Sequence, residues 1–234
     1  MKMARRPKAV TQMTAAQFDA TFPDEDACKT YLQKRRWPEC VRCPRCGHDK
    51  VFPVGSMPFK WQCYNCTPGS GYRFSVIAGT IFENTNKPLK DWFRVTHLML
   101  ASKKSMSALQ IQRMLGFGSY GTAHSMCHKI RAALIEPEAK LGGIVEVDET
   151  YIGGKWYNKH RNKRVGGTGG IGSGKIGAVH TNTIEGFWSI LKRGVVGTFH
   201  KVSKKYMPLY VAEFQFRYNN RHNPDIFGAA IAGC

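Results

Sequence analysis

Acidic residues are scarce in this chain, and it has no long apolar run. Aspartate and glutamate number 16 against 35 lysines and arginines, which gives a formal net charge of +19 over 234 residues. An excess of this size favours a polyanionic partner. The basic residues are spread along the whole chain, whereas a membrane-surface anchor is typically a compact polybasic stretch. Nucleic acid is therefore the expected partner.

No stretch approaches the roughly 20 consecutive apolar residues that span a bilayer, so no membrane partner is expected. The basic stretch 1–10 is not followed by an apolar core, and a secretory signal is not predicted. These features predict a cytoplasmic protein. In that reducing compartment the eight cysteines are not expected to form a disulfide framework.

Four of the cysteines form two closely spaced pairs. Cys43 and Cys46 enclose two residues, Cys63 and Cys66 enclose two more, and 16 residues separate the pairs. This spacing is typical of a structural zinc site, because two thiolates from one tight turn can bind a single tetrahedral ion. With four ligands and no open position, the ion is predicted to be structural.

A fifth cysteine, Cys40, lies close enough to compete as a ligand. It precedes Cys43 by the same two-residue gap. Pro44 and Gly47 suit the tight turn between and after Cys43 and Cys46. We therefore prefer Cys43 and Cys46 as the first ligand pair.

Two short strands, Val51–Val54 and Phe59–Gln62, are predicted between the cysteine pairs, which makes a zinc ribbon. So short a segment buries little core, and zinc binding is expected to supply much of its folding free energy. Its aromatic and basic residues could contact DNA or could equally pack within the ribbon. These residues are Phe59, Lys60, Trp61, Tyr64, Tyr72 and Arg73.

Two helices joined by a glycine-containing turn are predicted in the middle of the chain. Ser107 can cap the first helix, Gly116 ends it, and Ser119 can cap the second. This arrangement fits a helix-turn-helix, whose second helix enters the major groove of DNA. The DNA contacts predicted on the second helix are Tyr120, Lys129 and Arg131.

The second helix also carries two histidines. His124 and His128 lie four residues apart, which is the spacing of a helical zinc pair. The glutamate expected after the first histidine of a metalloprotease is replaced by Ser125, so that function is excluded. We expect exposed or DNA-facing histidines.

A strand is predicted over 144–154, where β-branched residues alternate and two glycines close the run. Asp148 lies in the middle of this strand among apolar neighbours, where a carboxylate is costly unless it is paired or binds a metal. Glu146 shares the face of Asp148, and Glu149 points the other way. The basic run that follows supplies further predicted DNA contacts at Lys155, Arg161, Lys163 and Arg164.

The strongest local pattern is a helix predicted over His180–Arg193. Asn182, Glu185 and Ser189 share one side of it, and Lys192 lies two turns beyond Glu185 on that side. A second helix is predicted over Lys204–Tyr218.

The order of these motifs resembles the ISXO-like insertion-sequence transposases of bacteria, which join an N-terminal zinc ribbon to a ribonuclease-H-like DDE domain. Besides the ribbon cysteines, the matching stretches are Val147–Lys155, His180–Gly194 and Glu213–Asn219. The similarity runs from about Phe18 to Asn223 with one gap.

The resemblance implies a multi-module α+β fold with a small β zinc ribbon, a helical, helix-turn-helix-like middle and a truncated ribonuclease-H-like α/β remnant. The predicted segments are a basic tail and N-terminal helix at 1–38, the ribbon at 39–76, a helical DNA-binding region at 77–140, a truncated DDE domain at 141–223 and a tail at 224–234.

The resemblance also implies a catalytic site in which acidic residues bind two divalent cations, Mg²⁺ or Mn²⁺, that clamp the attacking and leaving oxygens. Asp148 would be the first metal ligand. The third would be Glu185, or Asn182 if asparagine is used there. Lys192 would contact DNA near the cleaved bond, and Arg193 is the last predicted DNA contact.

The family's second catalytic aspartate lies on a further strand between these motifs, but here residues 150–184 contain no aspartate or glutamate. Lys175–Val179 resembles the start of that strand, and the late helix begins directly after it. The rest of the central sheet is thus missing from the expected place. Substitute ligands could come from Glu146, Glu149, Glu213 or Asp225, although nothing in the sequence places them correctly.

We therefore predict an insertion-sequence transposase that binds double-stranded DNA, both terminal inverted repeats and target, with little or no cleavage. The alternative is a non-catalytic DNA-binding repressor of transposition. Expected assemblies are a homodimer or a complex with intact transposase. The expected location is the bacterial cytoplasm, in association with the nucleoid.

Overall fold

The computed structural model describes residues 13–66, 69–136 and 182–234. Within these ranges the chain combines helices with one small sheet, which agrees with the predicted multi-module α+β class. The helices are α1 (Ala15–Thr21), α2 (Glu25–Arg36), α3 (Leu89–Ala101), α4 (Ala108–Leu115), α5 (Tyr120–Ala133), α6 (Asn182–Gly194), α7 (Met207–Asn219) and α8 (Ile226–Ala232). The strands are β1 (Val51–Pro53), β2 (Lys60–Cys63) and β3 (Tyr72–Ser75).

Local sequence signals set most of these helix ends. The Asp24 carboxylate accepts a hydrogen bond from the Ala27 amide at 2.8 Å and begins α2. The Ser107 hydroxyl likewise accepts from the Gln110 amide at 3.2 Å and begins α4. Gly116 ends α4 in the left-handed conformation, with φ of 67°, where a residue with a Cβ atom is strained. The predicted ends of α4 at Ser107 and Gly116 are therefore confirmed.

The sheet is an antiparallel meander in the order β1-β2-β3. Two of its strands lie within a residue of the predicted ones, and β3 was not predicted. The strand β3 pairs with β2 from Lys60 opposite Ser75 to Cys63 opposite Tyr72. It follows a turn through glycines 69 and 71, both at positive φ.

Two helices lie where the sequence suggested none. Helix α1 begins with a reciprocal capping box, in which the Thr14 and Gln17 side chains each accept from the other residue's amide. Helix α8 occupies the segment 224–234, which was expected to be a tail. Its side chains Ile226, Phe227 and Ile231 are buried, because they complete the core formed by the N-terminal helices.

An aromatic cluster forms the centre of that core. The Phe227 ring lies 5.5 Å from Phe22, 5.6 Å from Phe93 and 6.1 Å from Phe18, centroid to centroid. These rings come from α8, α1 and α3 and from the link after α1. Edge-to-face and tilted packing of this kind stabilises a core beyond the area it buries.

Two side chains of α2 bond to segments that are distant in sequence, namely the start of α3 and the loop after β3. Both oxygens of the Glu25 carboxylate accept from the first amides of α3, Leu89 at 2.9 Å and Lys90 at 3.1 Å. The Arg36 guanidinium donates to the carbonyls of Val76 and Ala78. Helix α2 thereby fixes the chain on both sides of the link between the ribbon and α3.

Helices α6 and α7 share a smaller core made of Phe187, Leu191, Val195 and Phe214. A π-helical turn, Val195–Phe199, extends α6. The observed α7 ends one residue beyond the predicted helix and begins three residues later. None of the helices in the described ranges is long and apolar enough to cross a membrane.

Candidate metal centre and nucleic-acid surfaces

The four ribbon cysteines converge on one point. The sulfur atoms of Cys43, Cys46, Cys63 and Cys66 all lie within 4.8 Å of one another. Cys43 and Cys66 are separated by 3.5 Å, and Cys46 and Cys63 by 3.7 Å, sulfur to sulfur. Tetrahedral zinc with Zn–S bonds of about 2.3 Å needs sulfurs about 3.8 Å apart. The residues therefore fit a structural zinc ion.

The first ligand pair sits on a tight turn. The Gly47 amide donates to the Cys43 carbonyl at 2.8 Å, and the Cys43 amide donates to the His48 carbonyl at 2.9 Å. Gly47 has φ of 72°, which favours glycine. The exposed Cys40 is not a member of the sulfur cluster. The geometry thus selects Cys43 and Cys46 over the competing ligand.

Hydrogen bonds within the sulfur cluster shift the pKa values of Cys46 and Cys66 in opposite directions. The pKa of Cys46 is lowered from 9.0 to about 6, first by the His48 backbone amide and then by Cys66 and Asn65, which donate to its sulfur. The pKa of Cys66 is raised from 9.0 to about 12, because its thiol donates to Cys46. A lowered pKa at Cys46 favours the thiolate, which is the form of cysteine that binds metal.

Strand alternation divides the ribbon's aromatic and basic residues between two faces. Trp61 and Phe74 are cross-strand partners on the buried face, with ring centroids 6.0 Å apart. Tyr72 lies on the same face, stacked on Phe74 and covered by the Arg45 guanidinium at 4.0 Å. Lys60, Tyr64 and Arg73 are exposed. The rings of Trp61, Tyr72 and Phe74 therefore pack within the ribbon, whereas the exposed side chains are available to a ligand.

Helices α4 and α5 pack against each other and are joined by a turn centred on glycines 116 and 118, as predicted for a helix-turn-helix. Tyr120 at the start of α5 is 50% exposed. Gly121, Ser125 and Lys129 form an exposed stripe at successive turns of α5. The Lys129 ammonium lies 5.9 Å from the Trp92 ring.

The sequence predicts that Arg131 contacts DNA, but the structure places its side chain inside the protein. Its side chain is almost fully buried, and its Nε donates to the Glu213 carboxylate at 2.7 Å. Burial alone would lower the pKa of Arg131, but the charge and hydrogen bond of Glu213 raise it above its ordinary value. The guanidinium stacks 4.0 Å from the Tyr210 ring and is engaged within the protein. The prediction missed this because the partner lies on α7, 82 residues away.

The histidines of α5 also differ from the expectation that they are exposed. His124 and His128 are half-buried, with ring centroids 4.1 Å apart, and the Tyr206 ring lies 4.7 Å from His128. The pKa of His128 is lowered from 6.5 to about 4 by burial, with smaller contributions from the charges of His124 and Arg131. Helix α7 and the segment before it cover this side of α5.

The predicted face of α6 forms as expected. Glu185, Ser189 and Lys192 are all exposed, at positions that share one side of the helix. Arg193 is exposed too, and its Nε donates to the Ser189 carbonyl at 3.1 Å. Asn182 is the first residue of α6, and its side chain lies outside the described part of the chain.

The remaining predicted site residues lie outside the described residues. These are Asp148, Lys155, Arg161, Lys163 and Arg164, together with the alternative ligands Glu146 and Glu149. The other two alternative ligands are engaged elsewhere. Glu213 is fully buried against Arg131, and Asp225 caps α8 through the Gly228 amide at 3.0 Å while pairing with Arg35.

Two family models match the chain. Residues 23–68 match a transposase zinc-ribbon domain, and residues 171–219 match an ISXO2-like transposase domain. The first contains the sulfur cluster, and the second contains α6 and α7. Both matches are to transposase domains, which confirms the resemblance inferred from the sequence motifs.

A protein from Halobacterium salinarum is similar to part of this chain. It is described as an uncharacterized protein in transposable element ISH50, and it is 28% identical to this chain over 134 residues. The match covers 56% of this chain and 43% of that protein, so it spans less than half of the relative's length. No solved structure matches the chain.

Proposed function

We propose that this chain is an insertion-sequence transposase that has kept its DNA-binding surfaces and lost DNA cleavage and strand transfer. The matched transposase domains and the net charge of +19 support the DNA-binding part. The observation that carries the loss of cleavage is the interval 150–184, which holds no carboxylate between the predicted first and third metal ligands.

Two divalent cations at one site need several negatively charged ligands. Clamping attacking and leaving oxygens requires acidic side chains that face one another across a rigid site. Asp148 and Glu185 supply two carboxylates in our assignment, with Asn182 as the other choice for the third ligand. Glu213 and Asp225 cannot replace the second one without leaving a buried arginine or a helix cap unpaired. Binding of Mg²⁺ or Mn²⁺ would be weak.

The proposed DNA surface combines two exposed helix faces. On α5, Tyr120 and Lys129 would contact a duplex from the recognition helix. On α6, Lys192 and Arg193 would neutralise phosphates. The ligand would be the duplex at the ends of an insertion element, with target DNA as a weaker, sequence-independent ligand.

Binding to labelled duplexes of element-end and shuffled sequence tests the first half of the proposal. Lys129→Gln is expected to weaken end binding and to flatten the salt dependence by about 0.9 per lost phosphate contact. Lys34→Gln is the matched control, because Lys34 is an equally exposed lysine on α2. Equal affinity of Lys129→Gln and the wild type, or no binding of either duplex, would contradict the proposed surface.

A non-catalytic repressor is the second candidate. Large apolar side chains stay exposed beside the DNA-binding helices, with Ile135 56% and Val196 70% accessible. Ile135 lines an apolar groove with Met207, Pro208 and Val211, and a contiguous apolar surface favours association with a second copy or with intact transposase. End-selective binding that lowers the activity of an intact transposase would support repression, and unchanged activity would exclude it.

A further inference from the structure

The sheet of the ribbon has an outer face that the zinc site and the core do not use. Phe52, Gln62 and Arg73 are successive cross-strand partners on β1, β2 and β3. Directly opposed residues of a sheet share a face. Lys60 lies two residues before Gln62 on β2, so it belongs to the same side. Tyr64 lies in the turn after β2, and its ring contacts Phe52 on this side. We name these five residues the outer ribbon face.

Two aromatic rings are exposed on this face. Phe52 is 56% accessible and Tyr64 is 48% accessible, and their ring centroids lie 5.9 Å apart. The opposite face carries the other aromatic residues of the sheet, of which Trp61 and Phe74 are buried. The ribbon therefore has enough aromatic residues to pack its interior and still presents two rings to solvent.

The charge and shape of the face fit nucleic acid. Its members include Lys60 and Arg73, and none is acidic. The Arg73 guanidinium donates to the Gln62 side chain at 3.3 Å, which holds a planar cation beside the rings. Exposed rings beside cations on an antiparallel sheet suit unstacked bases, because every base has a face on which a ring can stack. In a closed duplex the bases stay stacked on one another, so their faces are not accessible to the two rings.

We propose that the outer ribbon face binds unpaired bases of single-stranded DNA, with Phe52 and Tyr64 as the stacking residues. This inference rests on the proposed function only in taking DNA as the partner. It assigns the ribbon a ligand different from the duplex proposed for α5 and α6. Lys60 and Arg73 would hold the phosphates that flank the stacked bases.

The test measures the affinity of zinc-loaded full-length protein for a labelled single-stranded oligodeoxynucleotide and for a duplex of equal length. The double variant Phe52→Leu/Tyr64→Leu keeps apolar bulk but removes both rings. The matched variant Phe52→Tyr/Tyr64→Phe keeps both rings. Zinc content and circular dichroism show whether each variant retains its ribbon.

Ring removal is expected to weaken single-strand binding by about fivefold or more per ring. The ring-retaining variant is expected to bind within about twofold of the wild type, and duplex affinity is expected to stay unchanged. Unchanged single-strand affinity after ring removal, or an equal loss for duplex, would overturn the inference. Wild-type protein that binds the single strand and no duplex would instead overturn the proposed duplex surface and leave this inference standing.

Discussion

The Nε atom of Arg131 on α5 donates to the Glu213 carboxylate on α7 at 2.7 Å, and both side chains are buried almost completely. This pair joins the helical middle of the chain to the segment that matches the ISXO2-like transposase domain. It explains why neither residue is free for the DNA or metal role that the sequence suggested for it. Because each charge is neutralised by a partner within the protein, the role of this pair is structural.

Removing one partner of the pair is expected to destabilise the protein strongly. Arg131→Ala or Glu213→Ala should lower the free energy of unfolding by about 3–5 kcal/mol, because each leaves the other charge buried without its hydrogen-bonded partner. For Glu213 only the longer 3.9 Å contact with Arg217 would remain. The double variant Arg131→Met/Glu213→Leu should be less destabilised than either single variant. Denaturant unfolding measures all three, and additive losses would show that the charges do not interact.

The buried C-terminal helix yields a second prediction. Phe227→Ala should cost about 3–5 kcal/mol of unfolding free energy, since the ring packs against Phe18, Phe22 and Phe93. The control Ile135→Ala removes a side chain that is 56% exposed, and it should change stability by no more than about 0.5 kcal/mol. Similar small effects for both variants would mean that α8 is not part of the core.

The ribbon is expected to need bound zinc in order to fold. Wild-type protein and the Cys40→Ser variant should each bind one zinc ion per chain, because Cys40 lies outside the sulfur cluster. The Cys63→Ser variant should bind zinc weakly and lose the ribbon's structure, since zinc binding supplies folding free energy. Zinc analysis and circular dichroism decide this, and loss of zinc from Cys40→Ser with retention in Cys63→Ser would contradict the assignment.

His128 should make stability depend on pH. Its pKa is lowered from 6.5 to about 4, first by burial, so the unfolded chain takes up the proton more readily than the folded one between those values. The free energy of unfolding should therefore fall as the pH drops from about 6.5 towards 4 and should be insensitive to His128 above that window. His128→Gln should flatten the profile, and the exposed His222→Gln should not. Parallel profiles for wild type and His128→Gln would exclude the effect.

Local signals in the sequence predicted much of this structure. The cap at Ser107, the turn at Gly116 and the two cysteine pairs each depend on residues within a few positions of one another. Such patterns fix a helix end or a metal knuckle regardless of the rest of the chain. The exposed face of α6 followed in the same way from helical spacing.

Most of the features that the sequence does not predict depend on partners distant in sequence. Phe227 is buried because α8 returns to the N-terminal helices, and Arg131 is buried because Glu213 lies 82 residues later. The cap on α3 comes from Glu25, 64 residues before Leu89. Composition and periodicity within one segment carry no information about these contacts, so the sequence predicts a tail where the short apolar helix α8 lies.

The most direct test of the account is a cleavage and strand-transfer assay on element-end duplex DNA with Mn²⁺, run beside the Asp148→Ala variant, with DNA binding measured in the same samples. We predict end binding without nicking or joining in both proteins, because the interval 150–184 lacks the second carboxylate. Metal-dependent nicking by the wild type that disappears in Asp148→Ala would contradict the account and show that the chain still assembles a catalytic site.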